Sequence, residues 1–148
     1  MRNLKDTQRS CVEFDYDGTI HKHYAGPSAE ERFRNEARVL YYLEEKGCDF
    51  VPKIIDIHED TLELVMTNCG EDAPLISDQK RDFMFRSLEE TYGVKHDDPF
   101  TRNITYNYHT GGFNVIDFEY ATILETGEGF TISEEEEIRH TQKYIQTM

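Results

Sequence analysis

His96, Asp98 and Asn103 stand in the run KHDDPFTRNITYNYHTGGFNVIDFEYA, with Asp117 fourteen residues after Asn103. Side chains of these types at this spacing suit phosphoryl transfer from magnesium-bound ATP. A carboxylate (Asp98) can take an acceptor's proton, an amide five residues later (Asn103) can hold a metal, and a second carboxylate (Asp117) ends a strand beside them. The runs NITYNY and FNVIDF are rich in β-forming residues, and His109-Thr110-Gly111-Gly112 between them signals a hairpin. Folding that hairpin returns Asp117 to the neighbourhood of Asn103. Two oxygen ligands then converge as a hard cation requires, with phosphate oxygens and water completing the shell.

The elements that must position this set are legible upstream. Ser28-Ala29-Glu30-Glu31 reads as a capping box opening a helix over 28–45, whose apolar stripe is Phe33, Ala37, Leu40 and Leu43. At 100° per residue Glu36 falls inside that stripe, so a carboxylate is aimed at the core, where burial demands a partner. The runs 51–58 and 62–67 flank a turn at Glu59-Asp60-Thr61 and form a second hairpin. A further helix over about 77–92 carries Phe83, Met84, Leu88 and Tyr92 as apolar positions and stops at Gly93, delivering the chain to His96. Ser133 followed by glutamates caps a last helix over 133–146, a solvated face with Ile138 and Ile145 spaced for one weak apolar contact.

The pattern His96-x-Asp98-x-x-x-x-Asn103 followed by Ile116-Asp117-Phe118 resembles the catalytic core of the protein-kinase-like superfamily, which includes protein kinases, aminoglycoside phosphotransferases and lipopolysaccharide core kinases. Glu119 stands where protein kinases usually have Gly, and Asp97 where they usually have Arg. Both departures lean toward the latter two groups. The resemblance implies an α+β, minimal two-lobed fold over 1–148. A small antiparallel sheet plus one helix would occupy 1–68, and a reduced, mainly helical part 69–148. It implies that Lys22, fourteen residues before Glu36 in the run TIHKHY, pairs with Glu36 and holds the α- and β-phosphates. Met66 would back an adenine pocket, with backbone groups of Thr67 to Cys69 bonding the base. Asn103 and Asp117 would hold Mg2+, Asp98 would orient and deprotonate a hydroxyl acceptor, and His96 would support the loop. The acceptor, a small molecule or a protein, is not identified by the sequence, nor is the oligomeric state.

Two departures bear on activity. Aligned with the family's phosphate loop, the stretch 4–12 places Lys5, Thr7 and Ser10 where glycines would let backbone N–H groups approach phosphate. No A-P-E motif follows Asp117, which leaves little for a peptide-binding lobe.

Composition bounds the rest. A chain of 148 residues with 37% apolar content suits one domain with one modest core. A net charge of −14, from 30 acidic against 16 basic residues, argues against nucleic-acid backbones and anionic membranes and makes an anionic nucleotide depend on magnesium. Cys11, Cys48 and Cys69 are odd in number and widely spaced, so reduced thiols in a cytoplasm fit best. With no secretory h-region and no run of ~18 apolar residues, neither export by a signal peptide nor a membrane span is expected.

Two other readings compete with this one. Asp15-Tyr16-Asp17-Gly18-Thr19 resembles the D-x-D-G-T motif of haloacid-dehalogenase-type phosphatases, in which Asp15 would be the nucleophile, Asp17 the general acid/base, Thr67 a phosphate ligand and Lys80 or Lys95 a charge clamp. The apolar run before Asp15 is short for the buried parallel strand that chemistry needs, and Asp15 to Gly18 serves equally as a hairpin turn. The other reading is a kinase-like binding module with weakened catalysis.

Overall fold

The computed structural model describes residues 2–6, 10–73 and 75–130. Its larger sheet has five antiparallel strands, β1 (Arg2–Asp6), β2 (Ser10–Phe14), β3 (Thr19–Tyr24), β4 (Ile54–His58) and β5 (Glu63–Thr67), in the order β1-β2-β3-β5-β4. The β2–β3 turn runs through Asp15 to Gly18. Gly18 takes a φ of 83° there, and the Asp17 carboxylate accepts the Thr19 N–H at 3.1 Å and its hydroxyl at 2.6 Å. The tip of the stretch aligned with a phosphate loop, including Thr7, lies outside the described residues. The expected hairpin of β4 and β5 is present, turning through Leu62 at a φ of 52°.

Helix α1 (Ala29–Glu45) crosses this sheet with Phe33, Ala37, Leu40 and Leu43 buried, as their spacing requires, and Glu36 buried among them. Its start differs from the expected capping box. Ser28 has a left-handed φ of 58°, and its side chain makes no capping bond. Arg32 holds the entrance instead: its fully buried guanidinium donates to the carbonyls of Pro27, at 3.0 Å, and Ala25. A charged fork filling the turn from inside makes the serine hydroxyl unnecessary there.

The described residues do not meet the expectation of a mainly helical second part. Among the described residues after Thr67 stand one helix, α2 (Asp78–Glu90), a single 3-10 turn at Thr101–Asn103, and two three-stranded antiparallel sheets. One joins β6 (Glu71–Asp72), β8 (Ile104–Asn107) and β9 (Gly112–Val115) in the order β6-β8-β9. The other joins β7 (Val94–Lys95), β10 (Thr122–Ile123) and β11 (Glu128–Gly129) in the order β11-β10-β7. Strands of two residues are too short to show any periodicity in a sequence, which is why four of them escaped it. Ser77 caps α2, accepting the Lys80 N–H at 3.1 Å, and Gly93 leaves the element at a φ of 73°. Phe83 is 58% exposed and Phe85 is buried in its place. Phe85 and Met84 lie three and four residues before Leu88 and share its face, whereas Phe83 sits five before it, about 140° away. The last expected helix lies outside the described residues.

The buried apolar side chains of both parts form one cluster, from Tyr24, Phe33 and Leu40 through Leu64 and Leu88 to Ile104, Val115 and Phe118. No described helix is long and apolar enough to cross a membrane.

Candidate functional site

Strand alternation turns Lys22 and Tyr24 of β3 toward α1, where Glu36 waits midway along the helix. Lys22 Nζ lies 2.8 Å from Glu36 Oε1, 3.0 Å from Glu119 Oε1 and 3.3 Å from Asp117 Oδ1, with the lysine side chain only 7% exposed. Burial works to discharge that amine, yet the charges of Asp117 and Glu36 outweigh it and hold the Lys22 pKa well above its usual value. Glu36 is fixed from two further sides: the Tyr24 hydroxyl donates to Oε1 and the Phe118 N–H to Oε2 at 2.7 Å. Burial, then the neighbouring Glu36 charge, pushes the Tyr24 phenol well above its ordinary range, so it stays a donor.

The segment after β9 brings two more carboxylates to Lys22. Ile116 N–H donates to the Asn103 carbonyl at 2.9 Å, so the β8–β9 hairpin carries Asp117 back beside the loop it left. Asp117 itself has a φ of 70°, a left-handed conformation that a non-glycine residue adopts at some cost and that recurs where a site needs it. Asn35 of α1 holds the next turn, its amide donating to the carbonyls of Glu119 at 2.8 Å and Ala121 at 3.0 Å. The Glu119 carboxylate also lies 3.5 Å from the Arg32 guanidinium. Glu36, Asp117 and Glu119 offer oxygens that all lie within 4.8 Å of one another. Three carboxylates therefore share Lys22 and Arg32, and the excess of negative charge favours a further cation.

His96 is buried and works as a brace. Its Nδ1 accepts the Asp98 N–H at 3.0 Å, which leaves Nε2 to carry the proton and donate to the Ile116 carbonyl at 3.0 Å. Phe85 and Phe118 close on the ring edge-on, with centroids at 5.3 and 5.1 Å. The imidazole thus ties the Asp98 loop to the segment leading into Asp117.

Asp98 is committed more tightly than its spacing indicated. Arg102 grips both carboxylate oxygens, Nε at 2.7 Å, and the Asn103 amide nitrogen donates to Oδ2 at 2.7 Å and to the Asp98 carbonyl at 2.9 Å. Chiefly through Arg102, these bonds hold the Asp98 carboxyl below its usual pKa against partial burial. Such a group orients an acceptor better than it removes a proton from one. Asn103 is buried and spends its nitrogen on Asp98, so only its amide oxygen remains for a cation.

A cavity of about 310 Å3 joins these pieces. Lys22, Glu36 and Asp117 line it together with Met66, Thr67 and Cys69; Arg102 lines it too, whereas His96, Asp98 and Asn103 do not. The expected use of the Thr67 to Cys69 backbone is corrected in part. The Thr67 N–H is spent on the Lys53 carbonyl at 2.9 Å, and the Cys69 carbonyl accepts Thr105 Oγ1 at 2.7 Å and Asn114 Nδ2 at 3.3 Å. The chain before β4 consumed the first group, and side chains of β8 and β9 consumed the second. The same close approach explains Gly70: at a φ of 99°, a Cβ there would stand 2.1 Å from the Tyr106 carbonyl oxygen.

Sequence reasoning named Lys22, Glu36, Met66, Thr67, Cys69 and Asp117, which meet on one cavity. It gave no role to Glu119, Arg32, Tyr24 or Arg102. Arg32 one helical turn before Glu36, and Tyr24 two residues after Lys22, were the available signals. The residues of the D-x-D-G-T resemblance sit on an antiparallel hairpin: Asp17 is occupied by Thr19, whose bonds lower its pKa, and Asp15 Oδ2 lies 3.3 Å from His21 Nε2. Every strand pairing among the described residues is antiparallel, so the parallel strand that motif needs is not among them.

No protein-family model and no curated protein sequence matches this chain.

Proposed function

We propose that the chain is a phosphotransferase of the kinase-like kind, dependent on ATP and Mg2+, that moves the γ-phosphoryl group to a hydroxyl acceptor. The observation that carries this reading is the Lys22–Glu36 ion pair at 2.8 Å, with Asp117 on the same amine, on the wall of a cavity that Met66 and Thr67 also line. The donor set fits magnesium, because Asp117 and Glu119 bring hard carboxylate oxygens within 4.8 Å of one another in a locally acidic site, and the Asn103 amide oxygen would be the third donor that the motif implies. When bound, that ion would neutralise charge on the transferring phosphates. Lys22 would leave Asp117 and Glu119 for the phosphates while Glu36, fixed by Tyr24 and Phe118, keeps it aimed. Met66 would pack against the base. Asp98 would receive the acceptor hydroxyl as a hydrogen bond, and Arg102, on the cavity wall, would face the anionic end of the nucleotide. Free, buried Cys48 and Cys69 are in keeping with action in a reducing cytoplasm.

A second reading, a nucleotide-binding module with little turnover, is favoured by one observation, the grip of Arg102 on Asp98. ATP turnover across a panel of hydroxyl acceptors separates the two. Asp98→Asn should abolish transfer and Asp15→Asn should leave it nearly intact. No turnover by the wild type with any acceptor, alongside magnesium-dependent ATP binding, would move the assignment to the binding module. Hydrolysis of an aryl phosphate that depends on Asp15 would defeat both.

A further inference from the structure

The five-stranded sheet carries a second cluster of reactive side chains on the face turned away from α1. The alternation that sends Lys22 and Tyr24 toward Glu36 sends His21 and His23 the other way. His23 is the cross-strand partner of Glu63 on β5, and Glu63 is the partner of His58 on β4. Three side chains thus stand in line across three strands, with neighbouring Cβ atoms ~4.5–5.5 Å apart. The Glu63 carboxylate meets two imidazoles, His21 Nδ1 and His23 Nε2, each at 3.0 Å, and His58 Nε2 stands 3.9 Å away, nearer to Asp56 Oδ2 at 3.4 Å. None of these four residues lines the cavity.

We propose that His21, His23, His58 and Glu63 bind one transition-metal dication of the zinc class. Three imidazole nitrogens and one carboxylate oxygen are the donors such an ion selects, whereas magnesium and calcium select oxygen alone. The donors now surround the Glu63 carboxylate, and closing them on an ion takes side-chain rotation, for which His23 and His58, 40% and 44% exposed, have room. The surroundings of His21 point the same way. His21 presents Nδ1 to Glu63 while its Nε2 faces Asp15 Oδ2 and Thr19 Oγ1, both at 3.3 Å, and Asp15 can serve as the outer carboxylate that fixes a ligating imidazole. Ligands drawn from β3, β4 and β5 make the ion a staple across three of the sheet's five strands, a use suited to a small domain.

Titration of chelator-stripped protein with zinc chloride by calorimetry at neutral pH tests this. One zinc per chain is expected, and cobalt(II) in its place should give the visible absorption of a tetrahedral site. The double variant His23→Ala/His58→Ala should lose the binding, and Asp15→Asn should weaken it about 10-fold. Asp117→Ala should bind zinc as the wild type does, and the histidine variants should respond to ATP and magnesium unchanged, so this site and the phosphotransfer site fail or stand separately. Undiminished binding by the double variant, loss of binding in Asp117→Ala, or a wild type without the tetrahedral cobalt spectrum would overturn the proposal; the last needs no variant to fold.

Discussion

Replacing Lys22 by Met should destabilise the fold severely, because the amine is shared by three carboxylates at 2.8, 3.0 and 3.3 Å and is almost wholly buried. A lysine on an exposed strand edge costs little to replace; this one should not. Breaking a buried pair by removing one partner costs about 3–5 kcal/mol, chiefly through the uncompensated charge left behind. Against a total stability of about 5–15 kcal/mol for a domain, that is a large fraction. The sign with pH is definite. A carboxylate stranded in the core without its cation is disfavoured in its charged form, so the variant's deficit should narrow as pH falls. In the wild type the folded pKa of Lys22 lies well above the ordinary lysine value, so its contribution is fully present below that ordinary value and is lost as pH climbs through the folded pKa. Urea denaturation of both proteins at neutral and mildly acidic pH measures this. A loss under about 1 kcal/mol, or a deficit independent of pH, would refute the shared-amine account.

Arg102→Ala should leave the melting temperature nearly unchanged while moving the acid limb of the pH–rate profile upward, because Arg102 is the main cause of the lowered Asp98 pKa. Gly70→Ala should cost about 1–3 kcal/mol in thermal denaturation and impair nucleotide binding, since φ and the Tyr106 carbonyl both exclude a Cβ on the cavity wall. Alkylation of the native protein near pH 8, read by mass spectrometry, should label half-exposed Cys11 first and spare Cys48 and Cys69, whose burial pushes both thiols up to about 11.

What the sequence disclosed was whatever a period or a fixed spacing could carry. The α1 stripe, the two hairpins and the meeting of Lys22 with Glu36 across fourteen residues all belong to that class. What it hid depended on close packing. Ser28 looked like a cap, but Arg32 had filled the turn. Glu119 looked like a departure from a motif, yet Asn35 and Arg32 seat it on Lys22. The spacing of Asp98 and Asn103 was readable, whereas the grip of Arg102 on Asp98 required the 3-10 turn that brings residue 102 back over residue 98. Strand β6 forms against the longer β8, and β7, β10 and β11 form against one another across distant parts of the chain, a cause that no local composition records.

The most direct test of the central claim is thermal stabilisation by ATP with and without magnesium, in the wild type and in Asp117→Ala. Removing Asp117 leaves Lys22 with Glu36 and Glu119, so the variant should still fold. At a hundredfold excess over the dissociation constant, ATP with magnesium should stabilise the wild type by about 2.7 kcal/mol, and the effect should vanish in chelator and in the variant. Equal stabilisation in chelator, with Asp117→Ala responding as the wild type does, would contradict the assignment of this cavity to magnesium-bound nucleotide.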